Sequence, residues 1–155
     1  MNLTLHVNGA NHTTEARPDQ TLLDVLRESL GLGSVREACG IGMCGACTVL
    51  LDGQTMSSCL LLAAQAEGKD IVTVEGLADG GKLHPVQQAY IDHAAFQCAY
   101  CTPGFVLTTI ALLRENPDPD DEAIREYLDG NLCRCGSYVN ILKAVRACRR
   151  KLEQE

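Results

Sequence analysis

The chain opens on strict alternation. Leu3, Leu5 and Val7 are apolar, with Thr4 and His6 between them, and a period of two places successive side chains on opposite faces of a strand. Asn8-Gly9 supplies a turn, after which residues 13–17 are expected to run back as the second arm of a hairpin. From residues 19–21 the period changes. Leu22, Leu23, Val25, Leu26 and Leu30 recur on one face of a helix that Gly31 can end. Residues 48–51 predict a short strand closed by Asp52-Gly53, residues 60–66 a helix, and residues 71–74 a last strand before Gly76. Hairpin, helix, loop and returning strands make a compact α+β unit.

Beyond Gly80-Gly81 the strand pattern stops. Pro85 suits the first position of a helix reaching about Ala95, and a second helix begins at Pro103 and ends before Pro117. Residues 120–128 and 139–152 predict a third and a fourth, so this half reads as a helical bundle. The glycine-rich stretch 76–82 is the connector, which divides the chain into units of residues 1–78 and 79–155. Units this small bury little core and gain from covalent or metal staples. Nine cysteines could supply them.

Charge and hydropathy narrow the surroundings. A net charge of -7, with Arg149-Arg150-Lys151 as the one short basic run, argues against nucleic acid as a partner. The longest apolar run, residues 105–113, is too short to span a bilayer, so no membrane partner is expected. Residues 1–6 do not read as an export signal, which makes a cytoplasmic location the expectation. In that reducing compartment a cysteine-dense chain binds metal more often than it forms disulfides.

The cysteines fall into two quartets. Cys39, Cys44 and Cys47 are spaced C-x4-C-x2-C, and Cys59 follows after eleven intervening residues, which is the plant-type [2Fe-2S] arrangement. Thiolates around iron and sulfide carry negative charge, so the loop must bring backbone N–H groups close to sulfur. Gly40, Gly42 and Gly45 can adopt positive φ and curl those amides inward. Zinc sites more often divide their cysteines between two short knuckles. The second quartet is Cys98 and Cys101, spaced C-x2-C ahead of Pro103, with Cys133 and Cys135, spaced C-x-C after Gly130. Both pairs fall at helix ends, where unpaired amides favour an anionic group. Spacing alone leaves iron-sulfur and zinc both open for this set.

Residues 39–47 with Cys59, the run Gln97-Cys98-Ala99-Tyr100-Cys101-Thr102-Pro103-Gly104, and the run Gly130-Asn131-Leu132-Cys133-Arg134-Cys135 together resemble the small iron-sulfur subunit of molybdenum hydroxylases of the xanthine oxidase family. That family includes carbon monoxide dehydrogenases and N-heterocycle and aldehyde oxidoreductases. The resemblance covers nearly the whole chain. It implies an N-terminal β-grasp, plant-type ferredoxin-like domain and a C-terminal four-helix domain, each holding one [2Fe-2S] cluster. It also implies partners: a large subunit with a molybdopterin-type molybdenum cofactor and a medium subunit with FAD, in a heterotrimer or a dimer of heterotrimers. The function implied is relay of electrons from the molybdopterin site to FAD, by a subunit that is not catalytic alone. The helical-domain cluster would lie beside the pterin, with Gln97 as a contact to it. Read without the resemblance, Gln97 is equally a surface amide. Two departures stand out: Ala99 occupies a position where glycine is usual, and Gly136-Ser137-Tyr138 replaces the commoner Thr-Gly-Tyr.

The remaining candidates have plainer readings. Cys148 has no partner at ligand spacing and reads as a small buried side chain on the last helix. Eight cysteines already fill two sites, which leaves His6, His12, His84 and His93 as surface or helix-start residues. Arg134, between two ligand positions, reads either as a partner for cluster charge or as a solvated side chain. Residues 118–122 read as a solvated helix start. No nucleophile with a base beside it and no phosphate-binding loop is present, so substrate chemistry is not expected of this chain.

Overall fold

A computed structural model describes residues 1–149; Arg150, Lys151 and the expected end of the last helix at Leu152 lie outside the described residues. The opening alternation forms β1 (Asn2–Val7), which pairs antiparallel with β2 (Ala10–Glu15). Asn8 and Gly9 turn between them at φ 52° and 78°, the left-handed pair a two-residue hairpin requires. β2 therefore starts directly after the turn, three residues earlier than residues 13–17 suggest. β3 (Thr48–Leu51) and β4 (Gln54–Ser57) form a second hairpin around Asp52-Gly53. β5 (Asp70–Val72) lies between the hairpins, parallel to β1 and antiparallel to β3, giving the sheet order β2-β1-β5-β3-β4. β4 has no apolar alternation because it is an edge strand.

One face of this sheet carries the first core. Leu3, Leu5 and Val7 pack with Leu22, Leu23, Val25 and Leu26 of a helix that begins as α1 (Leu22–Asp24) and continues as a π-turn over Val25–Ser29. Thr21 starts it with a reciprocal cap: the Asp24 N–H donates to Thr21 Oγ1 at 3.2 Å and the Thr21 N–H donates to the Asp24 carboxylate at 3.2 Å. The helix expected over residues 60–66 is only a 3-10 turn at Ala63–Ala66. The backbone ahead of it is drawn elsewhere: the Leu22 N–H donates to the Leu61 carbonyl at 2.7 Å, and Thr21 bridges Leu62, which holds that stretch extended.

The second half contains α2 (Pro85–Asp92), α3 (Thr102–Glu115), α4 (Asp121–Leu128) and α5 (Tyr138–Cys148). α2 stops short of Ala95 because Ala94 turns left-handed at φ 47°. Every residue of α3 from position 103 to 113 is buried, the mark of a helix enclosed on all sides. Its neighbours are α2 and α4 together with β3, and Leu50 of β3 belongs to the helical core. The outer helices are clasped by charge, with the Arg146 guanidinium gripping both carboxylate oxygens of Asp121. No helix among the described residues is long and apolar enough to cross a membrane.

The connector is held at its start. The 3-10 turn at Val74–Gly76 replaces the end of the expected strand 71–74, and Val74 and Leu77 pack against the helical core. Asn8 brackets Thr73, accepting its N–H at 2.8 Å and donating to its hydroxyl at 2.9 Å. Glu75 accepts from the Ser34 N–H at 2.9 Å, from the Ser34 hydroxyl, and from the Thr73 hydroxyl at 2.6 Å. Burial alone would raise the Glu75 pKa, but these donors outweigh it and hold the carboxyl below its ordinary 4.5. A depressed pKa means the stabilisation is complete above the ordinary value and is lost as pH falls through the folded value. Glu75→Ala should lower stability by about 1–3 kcal/mol at pH 7. Urea denaturation of variant and wild type should show that gap narrowing below pH 4.5.

Candidate metal centres

The loop from Cys39 to Cys47 owes its shape to glycine. Gly40, Gly42 and Gly45 sit at φ 66°, 75° and 69°, and this winding turns successive amides toward sulfur. The Met43 N–H donates to Cys39 Sγ at 3.3 Å. The Ile41 N–H, then the Cys44 side chain, pull the Cys39 thiol down to about 6. Cys47 and Cys59 lie deeper, beside one another. Burial first, then contact with Cys47, pushes Cys59 up to about 11, against the pull of the Gly42 N–H. The four sulfurs therefore meet as two contacting pairs, Cys39 with Cys44 and Cys47 with Cys59.

The second quartet repeats the pairing with different supports. Cys98 and Cys135 approach to 3.6 Å between sulfurs, and Cys101, the cap residue of α3, contacts Cys133. The Tyr100 N–H, then Cys135, lower Cys98, while burial first and Cys133 second raise Cys101 to about 12. Burial works to raise Cys133, but the Ser137 N–H, 3.4 Å from its sulfur, and Cys101 overcome it and the thiol is lowered. Gln97 is exposed and ties the two ligand segments together, its amide donating to the Cys135 carbonyl at 3.2 Å. Tyr138 accepts the Cys133 N–H at 2.8 Å.

This donor set fits a dinuclear centre. Each iron of a [2Fe-2S] cluster takes two thiolates, which is the two-plus-two grouping seen in both quartets, and amides aimed at sulfur suit an anionic cluster. A structural zinc draws four ligands to one point. Among the described residues, no three His, Cys, Asp or Glu side chains converge in that way. All nine cysteines are free of disulfides. Cys148 is wholly buried, its sulfur 3.9 Å from the Pro85 carbonyl and outside both quartets. His6 bonds Asn11 at 2.9 Å, and His84 caps α2 by accepting the Val86 N–H at 3.2 Å. Arg134 is exposed, and Asp120 caps α4 through the Ala123 N–H at 2.9 Å.

Contacts between the quartets have no counterpart in the sequence reading. The Leu132 N–H donates to the Cys44 carbonyl at 2.9 Å, and the Asn131 side-chain amide donates to the Gly45 carbonyl at 3.3 Å. Arg36 donates to the Ala99 carbonyl and lies over the Tyr100 ring, 5.2 Å from its centroid, while the Tyr100 hydroxyl donates to the Glu37 carbonyl. The available signal was the small and amide residues flanking the ligands, Gly45, Gly104 and Asn131. The two departures from the family pattern also acquire a geometry. Ala99 holds φ 60°, where glycine rests without cost, and Gly136 at φ 75° delivers the Ser137 N–H to Cys133.

Comparison with known proteins adds to this picture. Residues 5–78 match the model of a 2Fe-2S iron-sulfur cluster binding domain, and residues 73–146 match that of a [2Fe-2S] binding domain. The chain is 48% identical over 144 residues to the nicotinate dehydrogenase small FeS subunit of Eubacterium barkeri, covering 93% of this chain and 92% of that one. It is 50% identical over 147 residues to the xanthine dehydrogenase iron-sulfur-binding subunit of Escherichia coli, covering 93% and 91%. Its fold superposes on the quinoline 2-oxidoreductase of Pseudomonas putida 86 with a TM-score of 0.95 at 42% identity, covering 99% of this chain and 96% of that chain.

Two substitutions test the backbone of these loops. A Cβ on Gly104 would lie 2.1 Å from the Gly45 carbonyl oxygen, so Gly104→Ala should force the loops apart and cost about 1–3 kcal/mol, read by thermal denaturation. Ala99→Gly removes the left-handed strain and should be neutral or stabilising by up to about 1 kcal/mol in the same assay.

Proposed function

The chain belongs to the small [2Fe-2S] subunits of the xanthine oxidase family of molybdenum hydroxylases, and on that premise we propose that it relays electrons from a molybdopterin site on a large partner subunit to FAD on a medium one. As the iron-sulfur subunit of an oxidoreductase complex it is not catalytic alone. The observation that carries the relay is the meeting of the two quartet loops, Cys44 carbonyl to Leu132 N–H at 2.9 Å, one residue away from Cys133.

Cys39, Cys44, Cys47 and Cys59 would hold one [2Fe-2S] cluster within residues 1–78, and Cys98, Cys101, Cys133 and Cys135 the other within residues 79–155. When bound, each cluster supplies a one-electron centre, which lets a two-electron oxidation on the large subunit be passed on in single steps. The chain's own residues set the terms. Gly40, Gly42 and Gly45 aim amides at the first set of sulfurs, and Ser137 and Tyr100 do so at the second, the kind of bond that tunes potential. Gln97, exposed and anchored on the Cys135 carbonyl, is placed in this reading beside the pterin. Cys98, the most exposed ligand, would be the entry side, and the Cys39 to Cys47 loop the exit toward flavin. The complex would be a cytoplasmic heterotrimer or a dimer of heterotrimers.

Loss of one ligand in the assembled complex tests the order. Cys44→Ser should abolish the EPR signal of the first cluster, leave the second reducible by substrate, and slow flavin reduction about 100-fold or more in anaerobic stopped-flow. Flavin reduced at the wild-type rate without that signal would rule out the series.

A further inference from the structure

Arg36 stands just ahead of Cys39, in the half that carries the first quartet, yet its side chain ends at the second. Its backbone is anchored on the first ligand loop. The Arg36 N–H donates to the Ala46 carbonyl, next to Cys47, at 3.2 Å, and the Arg27 guanidinium donates to the carbonyl of the preceding, buried Val35 at 2.6 Å. From that anchor the Arg36 guanidinium donates to the Ala99 carbonyl and lies over the Tyr100 ring, 5.2 Å from its centroid. One residue therefore touches the backbone beside Cys47 and the backbone beside Cys98.

The Ala99 carbonyl and the Tyr100 N–H belong to one peptide unit. Its oxygen receives Arg36 and, at 3.4 Å, the Thr102 N–H, while its own N–H is directed at the Cys98 sulfur. The two ends of a planar trans peptide face opposite ways, so a cation at the oxygen draws density from the nitrogen and strengthens donation to the sulfur beyond. Ala99 sits at a left-handed φ of 60°, which alanine holds only against a steric cost, and the donors on its carbonyl keep the peptide in that orientation. The charge is not spent elsewhere: among the described residues, Arg36 is partly buried and no carboxylate comes within ion-pair distance of it. An electron arriving at the second quartet adds negative charge beside Cys98. Arg36 favours that state twice, by its own charge and by the peptide it polarises.

We propose that Arg36 is a positioning residue for the second quartet's cluster: acting from the first half through the peptide between residues 99 and 100, it raises the potential at which that cluster accepts an electron. This rests on the two-cluster relay reading and assigns one of its potentials to a residue outside the quartet's own half. The Tyr100 hydroxyl provides an internal control, because it ties the same two loops through the Glu37 carbonyl and brings no charge to the Ala99 oxygen.

Redox titration followed by EPR, on the full chain loaded with iron and sulfide, decides it. The second quartet's signal is the one that survives Cys44→Ser. Arg36→Met keeps the apolar stem and removes donor and charge, so the one-electron equilibrium of that signal should move about tenfold toward the oxidised form, a fall of about 59 mV in midpoint potential. Arg36→Lys, which keeps a cation and a donor, should recover most of that fall. Tyr100→Phe keeps the ring under Arg36 and loses only the bond to Glu37; its equilibrium should stay within about twofold of wild type. Both Arg36→Met and Tyr100→Phe loosen the attachment of the loops and should lower the melting temperature, but only the first should move the potential. A wild-type midpoint in Arg36→Met overturns the proposal, as does an equal fall in Tyr100→Phe, which would make loop attachment the cause. If Arg36→Met does not retain the second cluster, Arg36→Gln, with an amide donor and no charge, replaces it under the same terms: a lowered midpoint is expected and a wild-type one overturns the proposal. A wild-type chain with no second EPR signal overturns the two-cluster reading itself, whereas two signals with an unshifted midpoint remove only the role of Arg36.

Discussion

The close approach of two backbones, Gly45 on one side and Gly104 on the other, is the constraint on which the remaining architecture depends. The Gly45 carbonyl is crowded by donors: the Thr48 hydroxyl at 2.8 Å, the Thr48 N–H at 3.2 Å and the Asn131 amide at 3.3 Å. Its oxygen also occupies the space any side chain on residue 104 would need. A second carbonyl, that of Cys44, is satisfied from the same direction by Leu132. Buried carbonyls left unpaired are costly, so these bonds lock the first ligand loop to the start of α3 and to the loop ahead of Cys133 in one register. The two cysteine quartets are thus fixed relative to each other through main chain, which flexes far less than side chains.

Everything around that junction works to hold it. α3 begins at the Cys101 end and is buried along nearly its whole length, with Leu50 of the sheet sharing its core. Thr73, Glu75 and Asn8 pin the start of the connector to the first hairpin, which limits how far the helical half can move. Arg36 and Tyr100 add a clasp at the other side, each donating to a carbonyl of the opposite loop. The proposed relay would need a constant distance between centres more than mobility, and these contacts supply rigidity.

The sequence was most readable where one residue type carried one physical demand. Alternating Leu3, Leu5 and Val7 reported a half-buried strand, Pro85 and Pro103 marked helix starts, and cysteine spacing marked the two quartets whose sulfurs the fold brings together. It was least readable where the decisive bond is to a distant backbone. The polar strand at Gln54–Ser57 has no pattern because it is an edge, and residues 60–66 carry a helical pattern that a bridge to Thr21 overrides. The sulfur pairing within each quartet, and the junction between quartets, depend on contacts between residues such as Gly45 and Asn131 that lie 86 positions apart. The cost of Ala99 is likewise invisible in the sequence, because it lies in a left-handed φ of 60° that glycine adopts freely.

The surface bears on the proposed place of this chain between two partners. Ile41, Met43 and Leu60 are exposed around the first quartet, with Leu60 lying over Gly42, while Leu132, Tyr138 and Val139 are exposed around the second. A chain that worked as a freely diffusing carrier would gain nothing from two separate apolar surfaces and would risk self-association. Apolar residues of this size beside metal ligands gain more by being covered: excluding water lowers the local dielectric and lets backbone amides act on sulfur without competition from solvent. The rigid junction inside and the bare apolar rims outside are what the proposed relay would require: fixed distances between two centres, and surfaces for neighbouring subunits to cover.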